Sequence, residues 1–345
     1  MAGLADVRDV HRFDIAALDR YLTDRVAGFR GPTAVRQFQG GQSNPTYLLE
    51  TSGRKYVLRR KPPGRLLPSA HAVEREYQVI TALARTDVPV PRTHLLCEDP
   101  AVIGTPFYLM DYVEGRVFRD PTLTDFGPLE RTAVYDSMND VLASLHRVDW
   151  AAAGLGGFGK PGNYFARQIH RWTSQYRASE TEPIDSMERL IEWLPAHIPP
   201  GDETALVHGD YRLGNMLIHP TKPRVVAVLD WELSTLGHPL GDLAYNCLAW
   251  HFSADLEGLA GTDVTRLGIP PETAYVQRYC RRTGRAGIPQ WEFYIAFAAF
   301  RFAAIWQGVI ARVLAGTAND PTALQHRARA RTLADVAWAV VASRA

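Results

Sequence analysis

Four polar residues within one short stretch have the types and spacing that phosphate chemistry requires. In LVHGDYRLGNMLIHPTKPRVVAVLDWELSTLGHPLGDLAY, residues 206–245, His208 and Asp210 are followed by Asn215 and then, after an apolar run, by Asp230. Two carboxylates and an amide oxygen are hard ligands of the kind that magnesium takes together with substrate phosphates. One of the carboxylates can stay off the metal and orient or deprotonate an alcohol. A lone His-x-Asp or Asp-x4-Asn would read as the solvated end of a hairpin. All four positions in this order favour a site.

The stretch predicts its own scaffold. Residues 206–207 and 216–218 are short apolar runs, and the β-branched run 225–229 leads into Asp230. Strand, loop, strand, turn, strand would set Asp210, Asn215 and Asp230 at adjacent loop ends. Upstream, residues 35–38 and 46–50 read as strands around Gly40-Gly41-Gln42-Ser43-Asn44. Glycine there lets backbone N–H groups approach phosphate, and an ordinary hairpin turn fits those residues equally well. Residues 55–60 form a third strand, on which Arg59 and Lys61 share a face and Arg60 takes the other. A helix over 70–85 carries Glu74 and Glu76 beside the stripe Val73, Tyr77, Ile80, Leu83 and Ala84. Strands at 93–97 and 106–112 follow. Beyond Gly115 the pattern is mainly helical: 129–148, helices within 163–193, then 270–282, 290–314 and 321–342. A leader helix over 14–26 is capped by Asp14.

Composition limits the classes. With 345 residues there is room for one large or two modest domains. A net charge of +1 gives no reason to expect nucleic acid or an anionic membrane as partner. The three cysteines, Cys97, Cys247 and Cys280, are far apart. That argues against a disulfide framework and fits a reducing, cytoplasmic setting. The most apolar stretch, 291–314, is interrupted by Glu292, Arg301, Gln307 and Arg312 and reads as a buried core helix. Residues 154–161, GLGGFGKP, approach a Walker phosphate loop. However, Pro161 stands where a hydroxyl would bind magnesium, and 149–153 reads as a helix end. The segment reads as a flexible glycine-rich loop.

The pattern His208-x-Asp210-x4-Asn215, then Asp230, resembles the catalytic and metal-binding loops of the aminoglycoside phosphotransferase family. That family shares the protein-kinase architecture. In particular, 206–245 resembles the kinase-like domain associated with acyl-CoA dehydrogenase family members. The resemblance implies a bilobal α+β fold with a small antiparallel-sheet lobe over 1–113, including the leader helix, and a larger mainly helical lobe over 114–345. It implies ATP and Mg2+ as cofactors. Gly40, Gly41 and Ser43 would cover the phosphates, and Asp111 and Val113 would meet adenine at the hinge with Met110 behind it. Arg59 would stand for the phosphate-binding lysine, with Lys61 as the other candidate, and Glu76 rather than Glu74 would pair with it. Asp210 becomes the catalytic base, Asn215 and Asp230 the metal ligands, and Asp242 a support for the catalytic loop. His208 becomes structural, His146 a packing or capping residue, and Trp231 and Glu232 an edge of the acceptor site.

Departures from the pattern narrow the chemistry. Tyr56-Val57-Leu58-Arg59 occupies the place of the kinase Val-Ala-Ile-Lys, and arginine is not equivalent to lysine. Asp242 follows Asp230 too closely for a peptide-docking activation segment, and Gly209 replaces the arginine that would read one. The expected acceptor is therefore a hydroxyl of a small molecule: a metabolite, a hydroxyacyl compound or an aminoglycoside-like compound. Two alternatives stay open. A non-catalytic nucleotide-binding pseudokinase would explain Arg59. A metal-dependent phosphohydrolase could use His208, Asp210, His219 and Asp230, although no Asp-x-His pair precedes Asp210.

Overall fold

The computed structural model describes residues 3–39, 44–64, 71–316 and 325–342. Gly40, Gly41 and Ser43 lie outside these, so the glycine-rich turn predicted to cover phosphate is not among the described residues. Two compact units emerge: Met1–Val117 with Asp149–Phe158 and Asn215–Ser234, and Phe118–Val148 with Gly159–Gly214 and Thr235–Ala345. A single cut at residue 113 follows chain order. Packing instead draws two later segments into the first unit.

Alternation of side chains builds the first unit. Strands β1 (Leu4–Ala5), β2 (Ala34–Phe38), β3 (Thr46–Glu50), β4 (Lys55–Arg60), β5 (Thr93–Cys97) and β6 (Phe107–Asp111) form an antiparallel sheet in the order β1-β2-β3-β4-β6-β5. The strand β1 had no signal in the sequence. Tyr47 and Leu49, Tyr56 and Leu58, and Phe107 and Leu109 point to one face. There they bury Leu18 and Leu22 of helix α1 (Ile15–Thr23). Burying each such leucine contributes about 1.5–3 kcal/mol. As predicted, Asp14 caps α1 by accepting from the Ala17 N–H. Period two puts Arg59 and Tyr108 on the opposite face, and the register pairs them directly across β4 and β6. Helix α2 (Val73–Leu83) packs against β5 and β6. A small hairpin, Met216–Ile218 with Val225–Val228, completes the unit. The chain leaves the sheet past this hairpin at Gly115, where a Cβ would lie 2.8 Å from the Leu217 Cβ. Glycine is the side chain that fits this approach.

The second unit is helical, with α3 (Pro128–His146), α4 (Tyr164–Ser179), α5 (Asp185–Ala196), α6 (Pro239–His251), α7 (Val264–Leu267), α8 (Glu272–Thr283), α9 (Trp291–Leu314) and α10 (Arg329–Ala342). The apolar α9 packs on α4, α5, α6 and α10. By length and composition it could cross a membrane, but 72% of its apolar window is buried in the protein. The strand Ala205–Val207 pairs antiparallel with Thr235–Gly237, a partner that the sequence pattern did not indicate.

Candidate active site

In the first unit, β4, α2 and the hairpin bring a charged cluster together. Arg59 Nε lies 2.9 Å from Glu76 Oε2, and Arg59 Nη2 donates to Asp230 Oδ1 at 2.7 Å. Glu232 is a third carboxylate, at 3.7 Å. Glu76 is 1% exposed, with Asn44 Nδ2 donating at 2.8 Å and the Tyr108 hydroxyl at 3.1 Å. Burial works against charge on both partners. It lowers the Arg59 pKa, but Glu76, Asp230, Tyr108 and Glu232 outweigh it, and the guanidinium is held protonated well above its ordinary value. Burial raises the Glu76 carboxyl above its ordinary value, and Arg59, Asn44 and Tyr108 oppose that rise.

Lys61 is engaged elsewhere: its ammonium lies 2.9 Å from Glu74 at the surface. Of the two basic candidates, the one paired with Glu76 is Arg59. Partly exposed pairs contribute about 0–1 kcal/mol. Lys61→Met is therefore expected to leave the nucleotide dissociation constant within a factor of about five, measured by calorimetry. A larger loss would move the phosphate-binding role to Lys61.

Asn215 and Asp230 stand at the same end of the hairpin. Met216 pairs with Val228, and the Leu229 N–H donates to the Asn215 carbonyl at 2.8 Å. Asp230 adopts the left-handed region, φ 66° and ψ 60°. Non-glycine residues seldom take this conformation, and it clusters at functional sites. Among the described residues, no three His, Cys, Asp or Glu side chains group as a cation cage. One carboxylate and one amide at the same end of the hairpin fit magnesium, which takes one or two carboxylates and completes its shell with phosphates and water.

Several expectations are corrected in this unit. Trp231 is 1% exposed and donates from Nε1 to the Val228 carbonyl, so it is core and not the rim of an acceptor site. The run 154–161 does not form a free loop. Leu155 and Phe158 are buried, and Arg75 Nη2 donates to the Phe158 carbonyl at 2.7 Å. At the hinge, the Asp111 N–H donates to the Arg92 carbonyl and the Tyr112 N–H to the Lys55 carbonyl. The Asp111 carboxylate binds Arg54 and His94, each at 2.7 Å.

The second unit holds Asp210. Gly209, before it, has φ +84°, which favours glycine over other residues. Asp242, 2% exposed in the first turn of α6, accepts from the His208 N–H at 2.5 Å and the Gly209 N–H at 2.8 Å. His146 lies 3.5 Å from the same carboxylate and 2.8 Å from the Tyr279 hydroxyl. Burial alone would raise the Asp242 pKa. His146, His208 and the Gly209 N–H outweigh it and hold the carboxyl below its ordinary value. His146 thus supports the loop through Asp242, beyond the packing role that the sequence suggested. Arg212 Nε lies 3.4 Å from Asp210, and a hydrogen bond joins Asp210 to the buried Tyr245.

Residues 34–297 match the APH phosphotransferase enzyme family. The chain belongs to that family. Acyl-CoA dehydrogenase family member 10 of Mus musculus is 50% identical over 326 residues, 93% of this chain and 30% of that protein. The chain spans less than half the length of this relative and of family member 11 of Gallus gallus, where the match covers 44%. A crystal structure from Ralstonia eutropha JMP134, described as a candidate aminoglycoside phosphotransferase, is 52% identical with a TM-score of 0.88. The match covers 96% of this chain and 99% of that one. The aminoglycoside phosphotransferase APH(4)-Ia, solved with ADP and hygromycin B, shares the fold at 16% identity and a TM-score of 0.62, covering 94% and 98%. The predicted kinase-like α+β fold is therefore borne out.

His238, just before Pro239, caps α6 by accepting from the Leu240 N–H. Burial pushes it down to about 4, with Glu203 opposing and Arg285 assisting. A depressed histidine is neutral in the fold while the unfolded chain takes a proton below pH about 6.5. Stability is therefore lost as pH falls from about 6.5 towards 4, by about 2 kcal/mol between pH ~7 and ~5. Urea unfolding of His238→Gln is expected to lack that part of the slope. An unchanged slope would show that His238 is protonated in the fold.

Proposed function

We propose that this APH-family chain transfers the γ-phosphoryl group of ATP to a hydroxyl of a small molecule. The observation that carries this reading is Arg59 held between Glu76 and Asp230 in one cluster. Arg59 would grip a nucleotide phosphate, and Glu76 fixes its direction. The Val113 N–H is the candidate contact for the adenine edge. Asn215 and Asp230 would hold magnesium, which supplies neutralisation of charge on the phosphates when bound. Asp210 orients the acceptor hydroxyl and takes its proton as the new oxygen–phosphorus bond forms. The bond to the β,γ-bridging oxygen breaks, and ADP leaves. ADP in the APH(4)-Ia structure supports a nucleotide in the same fold.

The acceptor class follows from weaker support: no activation segment separates Asp230 from Asp242. A pseudokinase that binds nucleotide without transfer is the second reading. It is favoured by the direct ion pair of Arg59 with the candidate metal ligand Asp230. Purified protein is to be tested for magnesium-dependent ATP binding and then for transfer to hydroxylated metabolites and aminoglycosides. Binding with transfer supports the kinase. Binding with neither transfer nor ATP hydrolysis supports the pseudokinase. Phosphate release from monoesters without ATP would overturn both.

A further inference from the structure

Arg301 sits in the middle of α9, within the most apolar sequence of the chain. It is 6% exposed, and among the described residues no carboxylate pairs with it. A buried guanidinium without a carboxylate partner is costly, so its position demands a reason. Its Nη2 donates to the carbonyl of Gly209, the residue before Asp210. Its guanidinium lies 5.4 Å from the ring centroids of both Trp172 and Tyr245. Tyr245 in turn reaches Asp210. Asp242 holds the N–H groups of His208 and Gly209. The peptide that aims Asp210 is therefore held at its donors from α6 and at its acceptor from α9.

We infer that Arg301 is a positioning residue for Asp210, holding the catalytic loop through the Gly209 carbonyl while Trp172 and Tyr245 replace a counter-ion by offering their ring faces. The inference rests on reading Asp210 as the residue that orients the acceptor. Misplacing a reacting group by about 1 Å can cost about 10²-fold in rate.

The probe is Mg-ATP with water as acceptor, followed by phosphate release, together with any alcohol found to be a substrate. Arg301→Gln is expected to lower kcat by about 10–100-fold with the ATP KM within about twofold. Arg301→Lys, which keeps the charge and one donor, is expected to recover most of that loss. Wild-type kcat in Arg301→Gln overturns the proposal. So does a loss shared equally with ATP binding, or failure of both variants to fold, since each assigns Arg301 to the fold at large. If the wild-type protein binds Mg-ATP yet transfers to neither water nor alcohol, the function reading fails. Arg301 is then read by amide exchange at Gly209, Asp210 and Tyr211: exchange about tenfold faster in Arg301→Gln supports the positioning role, and unchanged exchange overturns it.

Discussion

Asp210→Asn is expected to lower kcat by about 10²–10⁴-fold, the range for losing a positioned general base, while Mg-ATP binds as in the wild type. The side chain keeps its shape, so Arg212 and Tyr245 keep a polar neighbour, although the charge that Arg212 meets is gone. The backbone that carries it is held independently by Asp242 and Arg301. On the proposed reading of Asp210 as the base, what is lost is the oxygen that would receive the acceptor proton. Steady-state kinetics together with calorimetric ATP binding test the expectation. Normal turnover would remove Asp210 from the chemistry, and lost nucleotide binding would make it part of the nucleotide site.

Glu76→Gln is expected to destabilise the protein by about 3 kcal/mol and to weaken Mg-ATP binding about tenfold. Breaking a buried ion pair by removing one partner typically costs about 3–5 kcal/mol, because the other charge stays buried. Here Arg59 retains Asp230 at 2.7 Å, which places the cost at the lower end. The same retained contact explains the binding loss. Without Glu76, Arg59 turns fully to Asp230 and competes with magnesium for that carboxylate. Glutamine keeps one oxygen to accept from Asn44, while its NH2 replaces the oxygen that accepts from Tyr108 and must donate to the phenol oxygen instead. Urea unfolding gives the first number and calorimetry the second. Wild-type stability would show that Arg59 needs only Asp230, and wild-type binding would free Arg59 from any phosphate role.

The sequence by itself determined the fold class and the order of the candidate residues. The strands are local, because alternation in residues 46–60 and 107–111 is a period-two signal. The fold class followed from the family resemblance of 206–245, whose candidate residues are close along the chain although packing assigns Asp210 to the second unit and Asn215 and Asp230 to the first. Tertiary structure alone decided the partners. Asn44 meets Glu76 across 32 positions, Arg301 meets Gly209 across 92, and Arg59 meets Asp230 across 171. No spacing marks such pairs, because packing sets them after the local elements have formed. Trp231 shows the same limit from the other side. An aromatic residue beside a candidate metal ligand looks like a rim residue on the chain. Only the burial of its ring, and its bond to Val228, makes it core. The choice between Arg59 and Lys61 was likewise open on the strand, where both share a face. Packing on α2 pairs the first with the buried Glu76 and the second with the half-buried Glu74.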